Sequence, residues 1–253
     1  MKTKKLTMPA FAVISLFLML AVYCGDGNPV RSERKIVYGA LTDPRDGQNY
    51  RTIEIGGLTW MADNLNYASD GSRCYGDDAS NCAVYGRLYD WGAATEACPD
   101  GWRLPDNDDW YNLLTSAGGE QHVVNIDDYY WYFWYVPDEG LKSKTGWDDW
   151  VCEEWMVDGE YYCPIGQVYS GNGTDKFGFS ALPGGCLFEE YNDDSIYVGF
   201  YGIGEWGLWW SATESGGADT AYNRFMSSMG TGVGEDENAS KSDMLSVRCV
   251  LGG

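Results

Sequence analysis

The spacing of eight cysteines constrains this 253-residue chain more than any other feature. They stand at positions 24, 74, 82, 98, 152, 163, 186 and 249, with no CxxC pair and a single histidine in the chain. Zinc sites and cytosolic redox motifs need closely spaced thiols or added imidazoles, so the pattern points to structural disulfides in an exported protein. Cys74 and Cys82 flank YGDDASN, and Cys152 and Cys163 flank EEWMVDGEYY, so each pair could close a local loop. A loop of about ten residues restricts the unfolded chain by roughly 2–3 kcal/mol, whereas one of about 150 gives roughly 5 kcal/mol. Cys98 to Cys249 is therefore the most stabilising pairing open to the chain. Cys186, in LPGGCLF, is left over and reads as a small buried hydrophobe rather than a reactive thiol.

The segment ahead of these cysteines is read as targeting sequence. Lys2, Lys4 and Lys5 precede an apolar run from Leu6 to Tyr23, broken only by Thr7, Pro9 and Ser15, that ends at Cys24. A basic start and an apolar stretch of this size predict a signal peptide over residues 1–24, of the lipoprotein type with Cys24 as the lipidation site, although Tyr23 is bulky for the position before the acylated cysteine. Residues 25–45 mix Gly, Pro and both charges without periodicity and predict a tether. No internal repeat or linker-like break follows, so residues 46–251 are expected to form one domain. The expected location is the cell envelope, at the outer membrane or cell surface.

Charge narrows the partners. The chain carries 17 Lys and Arg against 38 Asp and Glu, a formal net charge of -21. The ten basic and 35 acidic residues of 46–253 place about -25 on the body. Such a surface repels phosphate and excludes nucleic acid as a partner. Hydrophobic residues make up 44% of the chain and it has 12 Trp, too apolar for a disordered acidic segment.

Local patterns predict several elements. RTIEI, Gly56-Gly57 and LTWM read as two short strands around a glycine turn. Trp91 to Cys98 reads as a short helix ending at Pro99. Asp106 is placed to cap a second helix, with Asp109 three residues on, Trp110, Leu113 and Leu114 on its buried face, and Gly118-Gly119 as its stop. Leu245 to Val250 reads as a closing strand.

DPRDGQNYRTIEIGGLTWMADNLNY, then CYGDDASNCAVYGRLYDWGAATEACPDGWRLPDNDDW, GFSALPGG, WWSATE and SVRCV, together resemble the Fibrobacter succinogenes major paralogous domain from about Thr42 to Val250. GRLYDWG, GWRLPDNDDW and SVRCV are also similar to segments of the formylglycine-generating-enzyme group. The resemblance implies an α+β, C-type-lectin-like fold: two short helices packed on a small twisted antiparallel sheet, with long irregular loops. That fold would bring Cys98 near the last strand.

The functional expectation is binding rather than catalysis. The thiol pair on which formylglycine-generating oxidation depends has no match here, since Cys186 stands alone and Cys249 has Cys98. His122 is the only histidine, and 35 carboxylates give no particular pair for glycosidase chemistry, so no catalytic residue is assigned. Trp and Tyr faces stack on pyranose rings, while carboxylates and amides accept hydrogen bonds from hydroxyls. DDYYWYFWY, from Asp127 to Tyr135, makes Tyr129, Tyr130, Trp131, Tyr132, Trp134 and Tyr135 the candidate ligand-binding residues on an acidic, aromatic-rich loop face. Trp206, Trp209 and Trp210 are weighted towards core. Neither an EPN or QPD loop nor a WND strand is present, Asn192-Asp193-Asp194 being the nearest string, and Asp106, Asp108 and Asp109 suit a helix start. No metal or cofactor is therefore assigned, with Ca2+ the one ion considered. A neutral polysaccharide or another envelope component is the expected partner. An enzyme or a structural envelope protein is the alternative.

Overall fold

In the NYRTIEI run, Tyr50, Thr52, Ile53 and Ile55 turn inward while Asn49, Arg51 and Glu54 face water, and this run is strand β2 (Asn49–Ile55). Gly56 and Gly57 both take positive φ, 65° and 77°, so the next strand, β3 (Leu58–Met61), folds straight back in a two-residue turn. Strand β1 (Gly39–Thr42) pairs with the other edge of β2. The compact unit accordingly begins at Ile36, ahead of the boundary at residue 46, and the last part of the expected tether belongs to the fold. Strand β19 (Val250–Leu251) joins β3 to β6 (Trp102–Arg103), completing a five-stranded sheet. The computed structural model describes residues 35–252 except 127–128, 153–155, 158–159, 162–163, 193–194 and 231, so the predicted signal peptide and Cys24 lie outside the described residues.

The larger of the two main sheets has ten strands. Its strands are β4 (Ser72–Arg73), β5 (Leu88–Tyr89), β7 (Glu120–Ile126), β8 (Tyr129–Tyr135), β13 (Gly184–Asn192), β14 (Ser195–Ile203), β15 (Trp206–Glu214), β16 (Thr220–Ser227), β17 (Gly232–Ser240) and β18 (Leu245–Ser246). The hydrogen-bonded path runs β4-β5-β18-β15-β16-β17-β8-β7, and the β13–β14 hairpin joins it through β15. Two small ribbons stand apart, β9 (Trp150–Val151) with β12 (Val168–Tyr169) and β10 (Met156–Val157) with β11 (Glu160–Tyr161). The expected closing strand is divided: β18 lies in the large sheet and β19 in the small one.

Three short α-helices occur among the described residues: α1 (Ala79–Tyr85), α2 (Trp91–Glu96) and α3 (Asn107–Ser116). Asp106 caps α3 by accepting from the Asp109 N–H at 3.0 Å, and the Asp109 carboxylate accepts from the Asp106 N–H at 2.9 Å. Trp110, Leu113 and Leu114 of α3 are buried, with Trp110 packed 5.1 Å from Trp60 of the small sheet and 6.1 Å from Phe179. The α+β, C-type-lectin-like expectation of two helices on a small sheet is thus overturned. The chain is largely β, dominated by the ten-stranded sheet, and its helices are brief additions marked by strong local caps.

Two cores lie on opposite faces of β15. Trp209 joins Trp60, Trp110, Trp134, Met226 and Val233 between α3 and the two sheets, while Trp210 joins Tyr89, Ala94, Leu208, Val247 and Cys249 on the other side. Cys98 is bonded to Cys249, tying the end of α2 to the last strands, and Cys74 is bonded to Cys82 around α1. Cys152 is buried; its expected partner, Cys163, lies outside the described residues.

Candidate functional site

The aromatic block expected to bind ligand is a strand rather than a loop. As β8, it is held between β7 and β17. Trp134 is 7% exposed and packs on Tyr111 of α3 with ring centroids 5.8 Å apart, so it is core. Tyr132 and Tyr135 are 39% and 50% exposed, and strand alternation sends them to opposite faces. The side chains of Tyr129, Tyr130 and Trp131 lie outside the described residues. The described rings of the block therefore do not converge on one surface. His122 is an exposed residue of the β7 edge, and Asp193 and Asp194 lie outside the described residues.

Convergent side chains occur instead on the β15–β17 face opposite α3. There the β13–β14 hairpin and the sheet line a cleft of about 670 Å³, within the roughly 300–1,000 Å³ usual for ligand sites. One wall is aromatic. Phe188 and Tyr201, from the two hairpin strands, have centroids 6.2 Å apart and planes 28° from parallel. Trp206 and Phe225 meet at 6.0 Å and 55°.

Glycines make room for these rings. Gly202 has φ 70°, and a Cβ there would come within 2.5 Å of Cδ1 of Trp206. Register places Leu208, Phe225, Gly234 and Phe133 in one row across four strands. A Cβ at Gly234 would overlap the Phe225 ring, which lies across the glycine and meets Phe133 edge-on at 6.0 Å.

The polar part of the lining comes from Asn223, Asp236, Asn238, Ser240 and Asp243. Asn223 Nδ2 donates to Asp236 Oδ2 at 3.3 Å, and the Asn238 N–H donates to Asp236 Oδ1 at 2.9 Å. The Ser240 N–H donates to Asp243 Oδ2 at 3.0 Å. Because Asp236 can only accept when ionised, the Asn223 amide must turn its nitrogen towards it. Its Oδ1 is left without a partner, although Asn223 is 2% exposed. A buried acceptor without a donor is unfavourable, and this one is sealed from solvent as the indole N–H groups of Trp60, Trp110 and Trp134 are.

Behind the wall, Arg224 is fully buried and pairs with Glu235 at 2.7 Å, and its Nη1 donates to the Asn223 carbonyl at 3.0 Å. Tyr111 of α3 donates its hydroxyl to Glu235 at 3.2 Å. This network fixes the β16–β17 backbone from the α3 side. Burial lowers the Arg224 pKa against the opposing pull of Glu235.

Cys186 forms part of the cleft floor. Burial, then the nearby Asp243 charge, pushes its thiol up to about 12, and the S–H donates to the Tyr201 carbonyl at 3.7 Å. At neutral pH this is a protonated thiol, the opposite of an activated nucleophile. Among the described residues, no group of three or more His, Cys, Asp or Glu is placed to hold a metal ion.

The pattern of the Fibrobacter succinogenes major domain matches residues 53–251. The chain belongs to that family. All of the residues lining the cleft fall inside the matched Fibrobacter succinogenes major domain. No curated protein and no solved structure matches the chain.

Sequence reasoning singled out neither the β16–β17 wall nor Phe188, Tyr201 and Phe225, and it weighted Trp206 towards core. In TAYNRFMS the alternation of Ala221, Asn223 and Phe225 against Tyr222, Arg224 and Met226 contains the clue: an amide and a ring share one face.

Proposed function

We propose that this Fibrobacter succinogenes major domain protein is exported, held at the cell surface by a lipid on Cys24, and binds a stretch of polysaccharide in the cleft between β13–β14 and β15–β17. The observation that carries this reading is a cleft whose lining combines four aromatic rings with amide, hydroxyl and carboxylate side chains. Rings stack on the C–H faces of a sugar, while its hydroxyl groups can donate to carboxylate and amide oxygens. Among the described residues, the cleft is lined by two aspartates and no basic side chain, so it disfavours uronates and sulfated glycans and admits uncharged or positively charged ones. No bound ion is needed for this recognition.

Retention of the purified protein on a panel of insoluble glycans, with and without chelator, tests the reading. Retention on at least one uncharged or positively charged glycan is expected, unchanged by chelator. It should fall about tenfold or more in Trp206→Ala and stay unaltered in Tyr132→Ala. No retention on any glycan, together with capture of an envelope protein, would overturn the polysaccharide reading. Mass spectrometry of the N-terminus tests the anchor, and an unmodified Cys24 would contradict it.

A further inference from the structure

We infer that the glycan site continues beyond the cleft, across the same face of the sheet to β8, where Phe133 and Tyr135 form an outer subsite for the same polysaccharide chain. This inference rests on the cleft being the polysaccharide site and concerns how much of the chain is held. Register sets the face. Val233 and Trp134 are neighbours across β17 and β8, and both are buried in the core on the α3 side. Phe133 and Tyr135 flank Trp134 in the strand, so both turn to the cleft side. Phe133 continues a line of rings begun in the cleft: Trp206 meets Phe225 at 6.0 Å, and Phe225 meets Phe133 at 6.0 Å.

Between the two sites the line crosses β17 at a pair of glycines, Gly234 opposite Phe133 and Gly232 opposite Tyr135. Phe225 lies across the first. Gly232 leaves the strand low beside Tyr135: a Cβ added there would meet only the Trp134 carbonyl oxygen at 3.6 Å and the Phe133 ring at 4.0 Å. The neighbouring edge strand supplies polar groups. Glu120 stands opposite Tyr135 and His122 opposite Phe133 in β7, so they share the face of these rings, and both are exposed. Phe133 is half-buried, and Tyr135 is 50% exposed. Rings beside a carboxylate and an imidazole offer a sugar unit a stacking surface together with partners for its hydroxyls. Strands about 4.8 Å apart put roughly 14 Å between the backbones of β15 and β8. One unit of an extended glycan advances by about one such spacing, so a chain that touches both Trp206 and Phe133 is at least about four units long.

Titration calorimetry with oligomers two and six units long, prepared from cellulose, xylan, mannan and chitin, tests the inference on the wild-type protein. In at least one of the four series the six-unit oligomer should bind about tenfold more tightly than the two-unit one, the worth of stacking on two further rings. Tyr135→Ala, at a ring exposed enough to be removed without opening a core, should abolish most of that gain and leave the two-unit affinity as it was. Tyr132→Ala, on the opposite face of β8, should change neither. Equal affinities for the two lengths in every series that binds, or a length gain that survives Tyr135→Ala intact, would overturn the inference and leave the polysaccharide reading standing. Binding of none of the oligomers would sink the polysaccharide reading itself.

Discussion

Asn223 uses its amide unevenly: Nδ2 holds Asp236, and Oδ1 is sealed from solvent without a partner. Replacing it with alanine removes a hydrogen bond and a buried unpaired acceptor together, effects of opposite sign that leave stability within about 1 kcal/mol of the wild type. Ligand affinity should nevertheless fall roughly fivefold, because the cleft's Asp236 carboxylate loses the side-chain donor that orients it. Thermal unfolding and titration calorimetry of Asn223→Ala measure the two quantities, and a large loss of stability with unchanged affinity would assign the residue to the scaffold alone. Asp109 illustrates a residue that serves the fold instead. Burial pushes its carboxyl up, but Arg103, at 2.5 and 3.0 Å, and the donors at Asp106 outweigh it and hold the carboxyl below its usual value. With its pKa depressed on folding, Asp109 contributes stability that is present above the ordinary carboxylate value and is lost as pH falls through the folded one. Asp109→Asn should therefore lower stability at neutral pH and flatten its decline in acid. An acid unfolding profile parallel to that of the wild type would contradict this account.

Among the elements, the row Leu208, Phe225, Gly234 and Phe133 shows how closely the cleft depends on β17. Gly234→Ala forces the Phe225 ring off the strand, with an expected cost of about 1–3 kcal/mol from overpacking, and weakens glycan binding by displacing a wall ring. Denaturant titration and glycan retention check both, and an unchanged midpoint would show that the ring has room to move. The elements legible in the sequence were local ones. The β2–β3 hairpin announces itself through alternation and a glycine pair, and α3 through Asp106, Asp109 and its apolar face. By contrast GVGEDENAS, the β17 strand, has acids and glycines where a buried strand would have aliphatic residues, and nothing local marks it as a strand. Its pairing to β16 and β8 is settled by long-range contacts, which no local pattern reveals. The α+β expectation came from the resemblance, which implied two helices on a small sheet, whereas this chain places most of its regular structure in strands. In DDYYWYFWY the aromatic density was real, but pairing on both sides of β8 fixes its register and turns Trp134 into core.

For the whole molecule, Cys98–Cys249 is the covalent closure that spans most of the chain, with a separation of 151 residues. The loop-entropy estimate gives about 5 kcal/mol for a bridge of this length against about 2.5 kcal/mol for a short one such as Cys74–Cys82. Replacing both Cys98 and Cys249 with serine should lower unfolding stability by several times the measurement error and by more than the Cys74/Cys82 double variant does. Equal losses would mean that strain or residual structure, rather than loop length, sets their contributions. Charge acts at this scale too. With 38 acidic against 17 basic residues, the protein repels anionic glycans before any contact is made, an effect that added salt weakens. The account turns on where a glycan lies on the sheet. Backbone hydrogen exchange with and without a bound oligosaccharide locates it directly: the cleft reading predicts slowed exchange in β13–β14 and β16–β17. Slowing confined to β7 and β8, or none anywhere at saturating ligand, would contradict it.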